Sequence, residues 1–530
     1  MGTMSSLTLI ELQRARAFAC DTRRRWLITD PLGYPEIRAA DLLHLGDEPH
    51  VVEAEFLRRP KQSGGVRVEV LPDVLTSTYL QAVANRLCEH DLGLDNSLSA
   101  PLFRLHRRGE NPYDVWVSEV PQWVVGALDA GYAVVVADIR DFFRSVTRDQ
   151  IRQVLERPFL EKSLSHKAIG LIDQINAVPC PNGSTRSGIP VAPDDFFWLL
   201  GDLVLSPVDT ALRGCRSVLA HARWVDDWYI ATSPRTIDHA IGVLETVLND
   251  HGFQLNQSKT RVIGSIEQFE TMTLAREHSI VSDLFLASSK GAMSARQVAS
   301  LEALIQQAPE TLGEAARLWK RLYALARRLK SPLLLDRALA DLDRLPMAQL
   351  PIFSYVGSFG WQHCPVDHLS VLLSPDAPDP RSLGILRMLL TSPTKLPPEL
   401  CRLLDELIRT PADGLHPFCR ILAYANLLKA GAAENADALL QALGDLPSAV
   451  ARRVGLEFLW LQPSLHPVLR GMIAADPSPI VRSLALIAER SIPSQTSVRL
   501  ASDTAWSLKN WGGLDQRAAT AFGLTKGPLE

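Results

Sequence analysis

Little in this chain suggests an extracellular scaffold. Its 530 residues include only seven cysteines, scattered, odd in number and without a Cys-x-x-Cys pair. That excludes a disulfide framework and a structural zinc site, and it points to a reducing compartment. No apolar run reaches the roughly 18 residues of a membrane span, and the opening MGTMSSLTLIELQRARAF lacks the apolar stretch of a signal peptide. A soluble, cytoplasmic protein with no membrane partner is therefore expected. An excess of one charge is missing as well: 55 Lys and Arg stand against 59 Asp and Glu, net −4. Any contact with nucleic acid must come from local clusters rather than a field over the whole chain. What is present is a globular composition, 46% hydrophobic and 22% charged, in a chain too long for one ordinary core.

Two textures divide it. Up to about residue 265, strand-like apolar runs alternate with helices. From Ser294 onward the chain is Leu/Ala-rich, with amphipathic segments such as LGEAARLWKRLYALARRL and PFCRILAYANLLKAG broken by Pro/Asp turns. Each segment needs neighbours to bury its apolar face, which predicts a HEAT-like helical array over 294–530. Ser294 and Gln297 form a candidate capping box at its start. The expected division is a helical extension over 1–54, an α+β domain over 55–265, a linker over 266–293, and the all-α repeat domain.

The chemistry-bearing residues lie in the α+β region. Residues 132–137 (YAVVVA) form an apolar run suited to a buried strand, and the run ends in Asp138. Thr147 to Gln150 reads as a capping box opening the next helix. Further on, SVLAHARWV and WYIAT flank Asp226 and Asp227, as a tight hairpin with acids at its tip would. Adjacent carboxylates repel and need cations when they line a cleft. With Asp138 on a neighbouring strand, three oxygen donors suit two hard cations about 3.5–4 Å apart, the arrangement that activates a 3′-hydroxyl and steadies a leaving pyrophosphate. Other marked segments are a basic loop from Arg58 to Arg67 containing Lys61, Gly64 and Gly65, a Gly188-Ile189-Pro190 loop before a long helix, and Gly252-x-x-Leu255-Asn256-x-x-Lys259-Thr260. Alone, each has an ordinary structural explanation.

In this order and spacing they resemble the fingers and palm of a reverse transcriptase over roughly residues 55–265. The resemblance implies that Asp138, Asp226 and Asp227 bind the metals, two Mg²⁺ or alternatively Mn²⁺, with the Ile139 carbonyl as a further ligand. It implies that Phe143 is the steric gate against ribonucleotides. Lys61, Arg67, Gly188, Pro190 and Lys259 would then contact the nucleotide. Departures from the general pattern mark a subfamily: Val191, Ala192, Phe196 and Trp224 replace the usual Gln, Gly, Ser and Tyr. With an Arg before the catalytic hairpin and a helical C-terminal region, the chain is similar to the abortive-infection, defence-associated prokaryotic reverse transcriptases. That resemblance implies an anti-phage DNA polymerase using dNTPs, with DNA and RNA as partners and a homo-oligomeric state. Some members work without a template, and some prime on a protein hydroxyl, for which Tyr34, Tyr113 and Tyr355 are the candidates here. Two rivals are an idle palm serving as a scaffold and a template-copying intron or retron enzyme. The intact triad argues against the first. The absence of a maturase-like basic domain and a Cys/His endonuclease cluster argues against the second.

Overall fold

The computed structural model describes residues 52–61, 65–89, 112–156, 160–180, 186–192, 194–289, 294–309, 314–364, 366–373, 379–392, 394–409, 416–431, 436–444, 446, 448–460, 462–482 and 484, with 7, 8, 11, 12, 15, 19, 498–499 and 524–525. It is a mixed α+β chain with small, mainly antiparallel sheets and one two-residue parallel pair, Val498–Arg499 with Leu524–Thr525. In order, the first part runs β1 (Ala54–Pro60), β2 (Val66–Pro72), α1 (Val74–Glu89), α2 (Pro112–Asp129), β3 (Ala133–Asp138), α3 (Phe142–Ser145), α4 (Arg148–Leu155), α5 (Lys162–Ala177), α6 (Asp195–Arg213), β4 (Ala220–Trp224), β5 (Asp227–Thr232), α7 (Ile237–Asp250), β6 (Arg261–Ile263), α8 (Ile266–Thr273) and α9 (Ala275–Ser289). Two compact units emerge. The first is built chiefly from Pro72–Arg276, and the second from Glu53–Leu71 together with the chain after Arg276.

The first unit is organised by a four-stranded sheet in the order β4-β5-β3-β6. Strand β3 pairs antiparallel with both β5 and β6. The run of Val134, Val135 and Val136 suits a central strand because β-branched side chains fill a pleated, covered surface. One face is closed by Val120, Val124 and Leu128 of α2 and Phe269 of α8, packed with Val134, Ala222 and Ile263. At about 25 cal/mol per Å² of apolar area, such side chains each contribute roughly 1.5–3 kcal/mol of burial. Phe269 lies inside the segment expected to be a linker. Residues 266–289 are instead two helices, the first of which is part of this core. Thr147 closes the capping box predicted for α4. Ser233 accepts from Arg235 N–H at the one-turn helix before α7.

The second unit corrects another boundary. The basic hairpin β1–β2, expected to belong with the palm, is grouped with the helices. The reason is specific pairing: the Arg58 side chain meets Asp379 at 2.8 Å, and His416 Nε2 lies 2.9 Å from the Phe56 carbonyl oxygen. Both Asp379 and His416 are buried, so each polar group needs the partner that the hairpin supplies.

The helices of this unit are α10 (Ala295–Gln307), α11 (Glu314–Leu329), α12 (Leu335–Arg344), α13 (Gln349–Phe359), α14 (Val366–Leu372), α15 (Asp379–Thr391), α16 (Pro398–Arg409), α17 (Pro417–Ala430), α18 (Ala436–Gly444), α19 (Ala449–Leu459), α20 (His466–Ala475) and α21 (Pro479–Arg482). Helices α11, α13, α15, α17, α19 and α21 touch in sequence, and α14, α16 and α18 make a second row. Two rows of neighbouring helices are how a repeat array buries faces that no single pair can cover. The Ser294–Gln297 capping box is present. The expected extension over 1–54 lies almost wholly outside the described residues. None of the described helices is long and apolar enough to cross a membrane.

Candidate functional site

The site forms where β3 and β5 end together. Antiparallel register sets Asp138 directly opposite Asp227, which by sheet geometry places their Cβ atoms about 4.5–5.5 Å apart. Asp226 occupies the two-residue turn between β4 and β5, and its carbonyl accepts from Ile139 N–H at 3.3 Å. The three acids are graded in exposure: Asp138 is buried, Asp226 half-buried and Asp227 exposed.

A short extended segment runs beside the end of β3. Arg140 N–H donates to Gln254, Asn256 N–H donates to the Asp138 carbonyl at 2.8 Å, and Ile139 bridges Leu255. This edge carries the side chains that hold Asp138. Lys259 Nζ lies 2.9 Å from Oδ1, and Asn256 Nδ2 donates to Oδ2 at 2.8 Å. Asn256 was visible in the sequence only as part of a motif. Its side-chain bond to Oδ2 explains why an amide belongs there.

The Gly188-Ile189-Pro190 loop packs on the turn after β3. Ile189 N–H donates to the Phe143 carbonyl at 2.7 Å, and Asn176 Nδ2 donates to the Gly188 carbonyl at 2.9 Å. Gly188 has φ +77, and a Cβ built there would lie 2.2 Å from the Phe143 carbonyl oxygen. Position 188 thus excludes a side chain for two independent reasons. Gly188→Ala is expected to destabilise the first unit by about 1–3 kcal/mol and to disturb Phe143. Thermal melting checks the first effect, and an unchanged melting temperature would refute this assignment.

Phe142 is buried and Phe143 half-buried, a difference set by a single helical turn opened by Asp141 at φ +48. The Phe143 ring lies 5.3 Å from Phe142 and 5.6 Å from Trp198, centroid to centroid. Ala192 and Phe196, two departures from the family pattern, are buried in the core. Lys61 and Arg67 are exposed on the hairpin that belongs to the second unit. Of the priming candidates, Tyr34 lies outside the described residues, and so does the side chain of Tyr113. Tyr355 is fully buried within α13 and donates to the Ser331 carbonyl at 2.7 Å, which removes it as a surface primer.

Beneath the turn lie residues the sequence marked only in part: Arg223 as the arginine before the hairpin, and Asp202, Asp209 and His221 not at all. Arg223 is completely buried, and its guanidinium uses all five N–H donors. Nε and Nη2 fork onto Asp209 at 3.1 and 2.7 Å. Nη1 reaches Asp202 Oδ1 at 2.8 Å and the Val225 carbonyl at 3.0 Å. Nη2 also meets the Asp202 carbonyl at 3.3 Å. His221 Nε2 lies 3.1 Å from Asp209 Oδ1. Burial, with Asp209 beside it, pushes the Asp202 carboxyl up to about 7 despite Arg223, and its Oδ2 is buried without a hydrogen-bond partner. Burial also works to raise Asp209, but Arg223 and His221 outweigh it and hold that carboxyl below its ordinary value. The available signal was Asp195, Asp202 and Asp209 spaced seven residues apart, two helical turns on one face, in the largely apolar DFFWLLGDLVLSPVDTAL.

Oxygen-only donors suit a hard divalent cation. Among the described residues no three His, Cys, Asp or Glu side chains converge as a ready-made metal group. The Lys259 ammonium supplies the positive charge at Asp138. The residue types and their register fit the cation, while the arrangement of the oxygens is that of a lysine-paired site.

The basic side chains of α11, with Lys330 just after it, do not act as one stripe. Arg321 donates to the His278 carbonyl and to Ser282, whereas Arg317, Arg327, Arg328 and Lys330 are exposed. Burial, with Arg317 and Arg59 nearby, lowers Lys320 to about 8.

No family model matches the chain, and no curated protein matches it. Among solved structures it is similar, at a TM-score of 0.29 and 12% identity, to a telomerase from Candida albicans in complex with a TWJ fragment of telomeric RNA. The likeness covers 65% of this chain and 64% of that one, and at that score it carries no argument.

Proposed function

We propose that this chain is a Mg²⁺-dependent nucleotidyltransferase of the reverse transcriptase type. In this reading it is a cytoplasmic, homo-oligomeric member of the defence-associated enzymes that makes DNA from dNTPs, untemplated, on bound RNA, or from a protein hydroxyl. The observation that carries the reading is the register that sets Asp138 against Asp227 at one sheet end, with Asp226 in the adjoining turn. Like charges directly opposite in a sheet are unfavourable, and a scaffold has no use for them.

Asp138, Asp226, Asp227 and the Ile139 carbonyl would hold two Mg²⁺ or Mn²⁺. When bound, these ions supply the Lewis acidity that activates a 3′-hydroxyl and neutralises pyrophosphate. The chain's own residues bind and orient. Lys259 is mostly exposed and is the cation nearest Asp138, positioned to transfer its charge to an incoming triphosphate. Asn256 keeps Asp138 oriented when the lysine leaves. The Phe143 ring, braced by Phe142 and Trp198, would abut the sugar at C2′. The test is incubation of full-length protein with labelled dNTPs and Mg²⁺, followed by sequencing of the product. No incorporation under any priming condition would overturn the reading.

Sugar choice gives a sharper check. Phe143→Ala removes a clash rather than a contact, so the ratio of ribonucleotide to deoxyribonucleotide incorporation is expected to rise on the order of 10–10²-fold. A folded variant with an unchanged ratio would show that the ring is only packing.

A further inference from the structure

Val225 precedes Asp226 and Asp227 and is β-branched, yet it sits at φ +53. For such a residue the left-handed region is a real outlier, kept only when surrounding contacts impose it. Two such contacts are present. Its side chain is buried so close to Gly201 that a Cβ there would lie 3.1 Å from Val225 Cγ1. Its carbonyl accepts from Arg223 Nη1 at 3.0 Å.

We infer that Arg223 is a positioning residue for the proposed metal site: clamped on α6 by Asp202 and Asp209, its guanidinium holds the Val225 carbonyl and thereby fixes where Asp226 and Asp227 stand. The inference rests on the reading given under Proposed function. A buried ion cluster is weak evidence of a stability role, because apolar residues of similar volume often serve as well. What apolar residues cannot do is bind a strained turn carbonyl and two carboxylates at once. A planar fork with five fixed donors can, and every donor here is used. Lysine, with three donors on a single atom, cannot span the same acceptors. The Arg223 guanidinium carbon also lies 5.3 Å from the ring centre of Trp228, the neighbour of Asp227, so both sides of the turn rest on one side chain.

The test uses the full-length chain and two variants. Arg223→Lys keeps the charge and loses the fork. Asp202→Asn keeps the shape, leaves the Arg223–Asp209 fork in place and removes one of two neighbouring buried acids, so it is expected to remain folded. Mn²⁺ binding is followed by electron paramagnetic resonance, and the Mg²⁺ midpoint for dNTP incorporation is measured in parallel. Removing the partners that orient metal-binding groups costs about 10–100-fold in metal affinity. That loss is expected for Arg223→Lys, with a smaller one for Asp202→Asn, in protein shown to be folded by circular dichroism. A purely structural role would lower the folded fraction and leave the midpoints alone, and that result overturns the inference. Should Arg223→Lys not fold, Asp202→Asn decides. Wild-type protein that neither binds Mn²⁺ nor incorporates nucleotide would overturn the two-metal reading itself, an outcome distinct from variants that match a metal-binding wild type.

Discussion

Asp227→Asn is expected to abolish Mg²⁺-dependent nucleotide incorporation while leaving the fold intact. Losing one preorganised charge at a reacting centre commonly costs on the order of 10²–10³-fold, and loss of a metal carboxylate belongs at or beyond that range. Stability should hold or rise, because Asp227 faces Asp138 across the sheet and an opposed like-charge pair costs about 0.2–1 kcal/mol. Asp226→Asn and Asp138→Asn are expected to be equally inactive. The latter also breaks the ion pair with Lys259, whose side chain is 61% exposed, so the stability lost there is about 0–1 kcal/mol. Parallel assays of incorporation and melting separate the two effects. Wild-type incorporation by any of the three variants would remove this site from consideration.

Arg223→Ala is expected to give the largest loss of stability in the first unit. It leaves Asp202 and Asp209 buried without their cation, and breaking a buried ion cluster from one side costs about 3–5 kcal/mol. The melting transition of that unit should fall by roughly 10 °C, at about 2–4 °C per kcal/mol for a unit of this size. The same cluster makes a pH prediction. Asp202 is raised in the folded state to about 7, so between its unfolded value and about 7 the folded protein binds the extra proton. That contribution to stability is complete at low pH and is lost as pH rises through about 7. Asp209 is lowered, and its contribution runs the other way, lost only on acidification below the usual carboxylate range. Asp202→Asn should therefore flatten the decline of stability near neutral pH and be neutral or stabilising at pH 8. Chemical denaturation at a series of pH values measures this, and an unchanged slope would show that Asp202 does not titrate there.

The parts of the fold that could be read in advance are those governed by neighbours in sequence. Thr147 and Ser294 cap their helices as read because the capping box is completed within four residues. The apolar run ending at Asp138 and the acidic hairpin tip are likewise local patterns, and both formed. That Phe142 is buried and Phe143 half-buried depends on a single helical turn after β3, which no pattern in the sequence marks. The linker over 266–293 failed as a reading because a segment without a strong periodic pattern still delivered Phe269 to the core.

The sequence alone determined the local elements, the order of the acidic, glycine and lysine motifs, and the alternation that gives way to a helical array. Caps, turns and amphipathic periods are settled by side chains a few residues apart, so they can be read along the line. Tertiary structure alone decided the rest: that Asp138 stands in register with Asp227, that Asn256 and Lys259 share its two oxygens, that the β1–β2 hairpin is grouped with the helices, and that Arg223 joins α6 to the turn. Each of these is a pairing across 14 to 321 residues. Whether a charged side chain is exposed or must find a buried partner depends on which surfaces meet, and chain order does not specify that.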